Sequence, residues 1–173
     1  MKLLLRSLLA LALGFSFTAC LFNEPIFKEG FSKTDAALAG VWAADARNGD
    51  PRKMEFAMCA PLDDDRYVLH HPAVEKDSIY YEARPLKIRD RNLLQLRVLA
   101  TFSDGLPKSN AERYTLLWIE KDAVAETFRV RSLGGDGVKD KGPAQVREFL
   151  EKPESDWSTI FGEALSFRRL KDN

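Results

Sequence analysis

From residue 40 onward, polar and apolar side chains alternate along most of the chain, and this alternation most constrains the fold. A two-residue period places alternate side chains on opposite faces of a β-strand, so each alternating run predicts a half-buried strand. In the longest run, 92–102, Leu94 and Leu96 lie opposite Gln95. Clusters of turn-forming residues separate the runs. The sequence therefore predicts eight strands, mostly in an antiparallel meander: 41–44, 53–60, 66–71, 78–84, 92–102, 113–120, 124–133 and 164–170.

The pattern changes between the last two of these strands. The glycine-rich stretch 134–137 predicts a flexible loop. Pro143 stands where a helix can begin, and apolar side chains then recur at helical spacing until Pro153 stops the helix. Trp157 predicts a second apolar turn at the periphery of the domain. The result is one helix placed before the final strand, in a domain that is mainly β.

Eight strands joined by short turns favour closure into a barrel, because closure removes the unpaired edges of an open sheet. A barrel of this size has an interior just wide enough for side chains or for one small ligand. A two-layer β-sandwich and an open sheet are the alternatives that the same strands allow.

The start of the first strand carries a short motif that resembles the motif of a known protein family. Gly40-Val41-Trp42, after a short helical turn capped by Asp35, resembles the Gly-x-Trp motif of the lipocalin-like (calycin) barrels. The resemblance implies that Trp42 closes one end of a barrel and that an arginine of the last strand packs on its ring. Arg168 is the preferred candidate and Arg169 the other. The helix before the last strand and the missing pair of clamping cysteines depart from true lipocalins.

The amino-terminal segment has the pattern of a secretory signal. It reads MKLLLRSLLALALGFSFTAC, with Lys2 and Arg6 in a basic head. The apolar run 8–17, of about 10 residues, falls within the ~7–15 of a signal peptide and is short of the ~20 that a membrane-spanning helix needs. The sequence therefore predicts a signal peptide over 1–19.

The end of this segment, Phe17-Thr18-Ala19-Cys20, resembles the lipobox of bacterial lipoproteins. The resemblance implies a diacylglycerol on the Cys20 sulfur, cleavage before Cys20 and acylation of the new amino terminus. Two or more acyl chains make a stable membrane anchor. Leu21 stands where an Asp would imply retention in the inner membrane, so the resemblance implies the outer membrane of a bacterial cell envelope. An ordinary secretory signal with a coincidental cysteine is the alternative.

Composition limits the partners and the chemistry. Residues 20–33, with scattered charge and no period, predict a flexible tether, followed by a barrel-like domain over 34–173. Without Lys2 and Arg6, the 26 basic residues of the chain become 24 against 26 acidic ones. This balance argues against nucleic-acid binding, which requires a basic face. If Cys20 is lipidated, Cys59 has no partner for a disulfide, and its place in a strand predicts a buried thiol.

No arrangement of residues predicts catalysis, a metal site or a cofactor. His70 and His71 are adjacent on a strand and point to opposite faces, so they cannot chelate one metal together. Three consecutive aspartates at 63–65 lack the ligand spacing of a calcium loop. Residues 134–137 lack the Lys and Ser/Thr of a phosphate-binding loop, and Ser158 and Ser166 have no histidine at a suggestive spacing.

The sequence leaves two hypotheses for function. The first is a lipid-anchored, non-enzymatic binding or interaction module that holds a small apolar ligand in the barrel. The second is a structural or assembly factor of the envelope that works through its outer surface on another envelope protein. The residues expected near an apolar site are Met54, Met58, Tyr80, Tyr81 and Trp118.

Overall fold

A computed structural model describes residues 21–44, 55–73, 77–108, 112–122 and 126–170, and the structural statements that follow concern these residues. They form nine strands, one helix and three short 3-10 turns. The strands are β1 (Gly40–Ala44), β2 (Phe56–Pro61), β3 (Tyr67–His71), β4 (Ser78–Ile88), β5 (Arg91–Ser103), β6 (Leu106–Lys108), β7 (Tyr114–Lys121), β8 (Thr127–Ser132) and β9 (Leu165–Arg169). The helix is α1 (Pro143–Glu151), and the turns are Ala36–Leu38, Asp136–Val138 and Trp157–Thr159.

Eight of these strands form a closed antiparallel barrel. Each pairs with its neighbour along the chain, β9 returns to pair with β1, and β4 pairs with β5 to complete the ring. β6 is an additional short strand that pairs with the end of β5 and is not among the eight that the sequence predicts. The predicted eight-stranded meander is confirmed, as are the barrel and the helix before the last strand.

All eight barrel strands contribute side chains to the barrel interior. Alternation along each strand sends one set of side chains inward, as the two-residue period requires. The buried inner cluster consists of Trp42, Ala44, Ala57, Cys59, Tyr67, Tyr81, Ala83, Leu94, Leu96, Leu117, Ile119, Phe128 and Phe167.

A second apolar cluster lies on the outer side of the barrel wall, under α1. The helix begins at Pro143, a residue tolerated at the first helical position, and the Gly142 N–H donates to Gln145 Oε1 at 2.8 Å. Its buried side chains, Val146 and Leu150, belong to the same cluster as Leu93 of β5. Outward-facing side chains of the barrel wall, such as Leu93 of β5, therefore pack under α1 instead of facing water.

Trp157 is a core residue of this outer layer and not a peripheral one. It is fully buried, with its ring centroid 5.6 Å from that of Trp118 and 5.9 Å from that of Phe161. The sequence-based expectation of a peripheral turn was therefore wrong, because the outer wall of the barrel supplies a second apolar surface for Trp157 to cover.

The predicted tether is also corrected by the structure. Its described part, from Leu21 to Lys33, packs along the barrel wall, with Ile26 and Phe27 buried. Gln95, on the outer face of β5, accepts from the Phe27 N–H at 2.7 Å and donates to the Phe27 carbonyl at 2.9 Å. Phe22 exchanges two backbone hydrogen bonds with Tyr114 at 2.9 and 2.8 Å. Apolar side chains and backbone hydrogen bonds therefore hold this segment on the domain.

Candidate functional site

The candidate site is a cavity of about 90 Å³ inside the barrel. Its walls are predominantly apolar, and they come from all eight barrel strands and from the turn that precedes β1. The lining residues are Leu38, Trp42, Ala57, Cys59, Leu69, His71, Tyr81, Leu94, Leu96, Thr115, Leu117, Ile119, Phe128, Val130 and Phe167. The interior is therefore neither completely filled nor a wide channel.

Trp42 forms one wall of this cavity and is 6% exposed. Its indole Nε1 donates to the Leu38 carbonyl at 3.0 Å, which ties the 3-10 turn Ala36–Leu38 to the barrel. Its ring lies edge-on against Phe128, with centroids 4.9 Å apart. The turn itself is held by Tyr67, whose hydroxyl accepts from the Asp35 N–H and donates to the Asp35 carbonyl at 2.9 Å.

The arginine beside Trp42 is Arg169, not the preferred candidate Arg168. The Arg169 guanidinium carbon lies 5.9 Å from the centre of the Trp42 ring, and the two residues are partners across β1 and β9. Alternation explains the correction, because Arg169 shares a strand face with the inward Phe167, whereas Arg168 lies on the other face.

Gly40 allows this packing in two ways. Its φ of +141° lies in a region that side-chain-bearing residues rarely adopt. A Cβ atom at this position would also stand 3.1 Å from Arg169 Nε. The predicted motif residues Gly40 and Trp42 therefore lie together in β1, with Arg169 of β9 beside both.

Four polar side chains interrupt the apolar lining. Burial raises the pKa of Cys59 and the pKa of Tyr81, each to about 12, so both groups are protonated near neutral pH. His71 Nε2 lies 3.3 Å from Glu55 Oε2. Thr115 is 3% exposed, and its Oγ1 has no hydrogen-bond partner among the residues that the structure describes. The lining thus offers hydrogen-bonding groups but no ionised thiol for nucleophilic chemistry.

The two histidines lie on opposite faces of β3, as alternation predicted. His71 lines the cavity, whereas His70 stacks on Tyr80 with ring centroids 4.0 Å apart. Partial burial and the neighbouring His71 lower the pKa of His70. In the part of the chain that the structure describes, no three His, Cys, Asp or Glu side chains come together as a metal site.

Ion pairs hold the aspartate-rich turn at 63–65, and close packing holds the glycine-rich stretch 134–137. Asp63 pairs with Arg66, which holds the pKa of the Asp63 carboxyl below its ordinary value, and Asp65 pairs with Arg84. The stretch 134–137 is packed rather than loosely held. A Cβ at Gly135 would stand 2.6 Å from the Thr159 carbonyl oxygen, so this glycine serves a close backbone approach.

Of the residues expected near an apolar site, the structure places only Tyr81 in the cavity wall. Tyr80 stacks on His70, and Trp118 belongs to the cluster under α1. Met58 is not among the lining residues. Met54 and Cys20 lie outside the described residues. Thr115 was not identified as a site residue from the sequence. The feature that could have identified it is a hydroxyl in the same alternating row as Leu117 and Ile119.

Comparison with known proteins places this chain in no family: no family model, no curated protein and no solved structure matches it. No helix among the described residues is both long enough and apolar enough to cross a bilayer. The fold therefore defines a class by its geometry alone, a closed eight-stranded antiparallel β-barrel with a small apolar cavity.

Proposed function

We propose that this protein is a lipid-anchored lipoprotein of the bacterial cell envelope that acts, without catalysis, as a binding module for a small apolar ligand. The observation that carries the binding proposal is the cavity, because apolar walls make water a poor occupant and an apolar molecule a good one. The lipobox-like run ending at Cys20 supports the anchor, and Leu21 supports the outer membrane.

Binding is tested with the purified mature domain and methylcyclopentane, a compact apolar molecule. We expect it to raise the melting temperature and to shift the NMR signals of residues that line the cavity. Ala57→Leu, which fills the cavity from β2, should abolish both effects. Ala60→Leu is the matched control, because Ala60 lies on the outer face of the same strand. Equal binding by both variants, or no binding to the parent protein, would contradict the proposal.

The anchor is tested separately by Cys20→Ser in the full-length chain. Only a thiol accepts the diacylglyceryl group, so the variant should lose incorporation of labelled fatty acid and remain an unprocessed precursor. Undiminished labelling of this variant would refute lipidation at Cys20.

A second function, as a structural or assembly factor acting on another envelope protein, is favoured by one feature of the outer wall. His70, Tyr80 and Phe102 form a partly exposed aromatic row, with the Tyr80 and Phe102 centroids 5.6 Å apart. Partly exposed aromatic side chains are typical of protein interfaces. Tyr80→Ser, which leaves the cavity lining intact, should reduce function in cells only if this outer row carries it.

A further inference from the structure

One hydroxyl of the cavity wall, that of Thr115, is buried without a hydrogen bond to any residue that the structure describes. Thr115 lies in β7, opposite Leu96 of β5 and in the same inward row as Leu117 and Ile119. Its side chain lines the cavity and is almost completely buried, yet Oγ1 has no hydrogen-bond partner among the described residues. A buried hydroxyl without a partner is disfavoured, so such a group on a cavity wall indicates a contact that is completed by an occupant.

We propose that Thr115 gives the cavity its chemical selectivity: the preferred ligand is a compact, uncharged molecule with an apolar body and one hydroxyl or carbonyl group, which hydrogen-bonds to Thr115 Oγ1. This inference rests on the proposed binding function and specifies the class of ligand.

The other polar side chains of the lining are less suited to this role. The Cys59 thiol is a weak hydrogen-bonding group. His71 already faces Glu55, with Nε2 and Oε2 3.3 Å apart. Tyr81 carries a second hydroxyl, which makes it the necessary comparison in any test. Thr115 can both donate and accept, so it suits either a ligand carbonyl or a ligand hydroxyl.

The size and polarity of the cavity set the limits of the ligand. About 90 Å³ is well below the ~300–1,000 Å³ of pockets that enclose drug-sized molecules, so the enclosed part is a small ring or a short branched chain. An ionised group would lose its hydration against apolar walls without a countercharge on Thr115. A neutral molecule with a single polar atom satisfies both limits.

The test compares two molecules that differ at one group. Cyclopentanol and methylcyclopentane have the same number of non-hydrogen atoms, and only the first can bond to Thr115. Dissociation constants of both are measured by NMR titration of the mature protein. In Thr115→Val, which keeps the side-chain shape, the affinity for cyclopentanol relative to methylcyclopentane should fall by roughly 2- to 10-fold, the worth of one hydrogen bond. Thr115→Ser and Tyr81→Phe should leave the ratio unchanged.

The outcomes separate this inference from the proposed function. If both molecules bind and the ratio of their affinities is the same in the parent protein and in Thr115→Val, the role of Thr115 is refuted while the binding function stands. The same result is expected if Thr115 Oγ1 only binds water. A change of ratio in Tyr81→Phe instead would assign the contact to Tyr81 and refute the inference. Binding of neither molecule to the parent protein would overturn the binding function and the inference together. Thr115→Ala, whose shorter side chain also lacks the hydroxyl, serves if Thr115→Val loses the native circular dichroism spectrum.

Discussion

Two buried tryptophans differ in one hydrogen bond, and this difference yields a sharp prediction. Trp42 and Trp157 are both almost completely buried, at 6% and 0% exposure. The indole nitrogen of Trp42 donates to the Leu38 carbonyl at 3.0 Å, whereas that of Trp157 is buried with no hydrogen-bond partner among the described residues. Substitution by Phe removes the N–H from either position and a similar volume of side chain.

We therefore expect Trp42→Phe to be more destabilising than Trp157→Phe. Loss of packing is of similar size in the two variants. Trp42→Phe additionally leaves the partly buried Leu38 carbonyl without its donor, and the net loss of one hydrogen bond costs about 0.5–1.5 kcal/mol. Trp157→Phe instead removes a buried polar group that has no partner, which offsets part of its packing loss. The difference is a measurable fraction of the ~5–15 kcal/mol by which a domain is stable.

Urea unfolding followed by far-UV circular dichroism measures this difference. The free energy of unfolding should be about 1–3 kcal/mol lower for Trp42→Phe than for Trp157→Phe, with the same dependence on urea concentration. Equal values, or a lower value for Trp157→Phe, would show that the bond to Leu38 does not hold the 3-10 turn onto the barrel.

Three further predictions follow from the geometry. Gly40→Ala should destabilise the domain by about 1–3 kcal/mol in the same unfolding assay, because the backbone at φ +141° is strained for Ala and the new methyl group meets Arg169; an unchanged midpoint would contradict this. Cys59, with its pKa raised from 9.0 to about 12, should resist alkylation by iodoacetamide at pH 9, where roughly one thiol in a thousand is ionised in the fold and about half are ionised after unfolding; mass spectrometry would reveal rapid native labelling if this is wrong. Gln95→Ala removes both hydrogen bonds to Phe27, so limited proteolysis should cleave the amino-terminal segment faster while leaving the barrel intact, and an unchanged cleavage rate would show that apolar burial alone holds it.

The strand pattern could be predicted from the sequence because a two-residue period is a local property of the chain. Leu94 and Leu96 alternate with Gln95 whatever the rest of the molecule does, and the turn clusters between runs set the antiparallel order. The expectation that Trp42 follows Gly40 at the closed end of a barrel came instead from the resemblance of Gly40-Val41-Trp42 to the calycin motif.

The partners across strands could not be predicted in this way. Alternation along β9 favours Arg169 over Arg168, but that Arg169 stands opposite Trp42 is fixed by the register of β9 against β1, which depends on every strand of the ring. The same limit applies to Trp157. A peripheral turn predicts a smaller loss of stability for Trp157→Ala than for Trp42→Ala, whereas the nearly complete burial of both rings predicts about 3–5 kcal/mol for each.

By itself the sequence determined the number and order of the main strands, the alternation of side chains along them and the helix before the last one, because spacing along the chain encodes all three. Only the tertiary structure decided that the segment after Leu21 lies on the barrel wall, that Arg169 covers Trp42 and that Thr115 Oγ1 is buried on a cavity wall without a described partner. The physical reason is that burial and hydrogen-bond satisfaction depend on contacts between residues far apart in the chain. Those contacts exist only once β4 has met β5 and the barrel has closed.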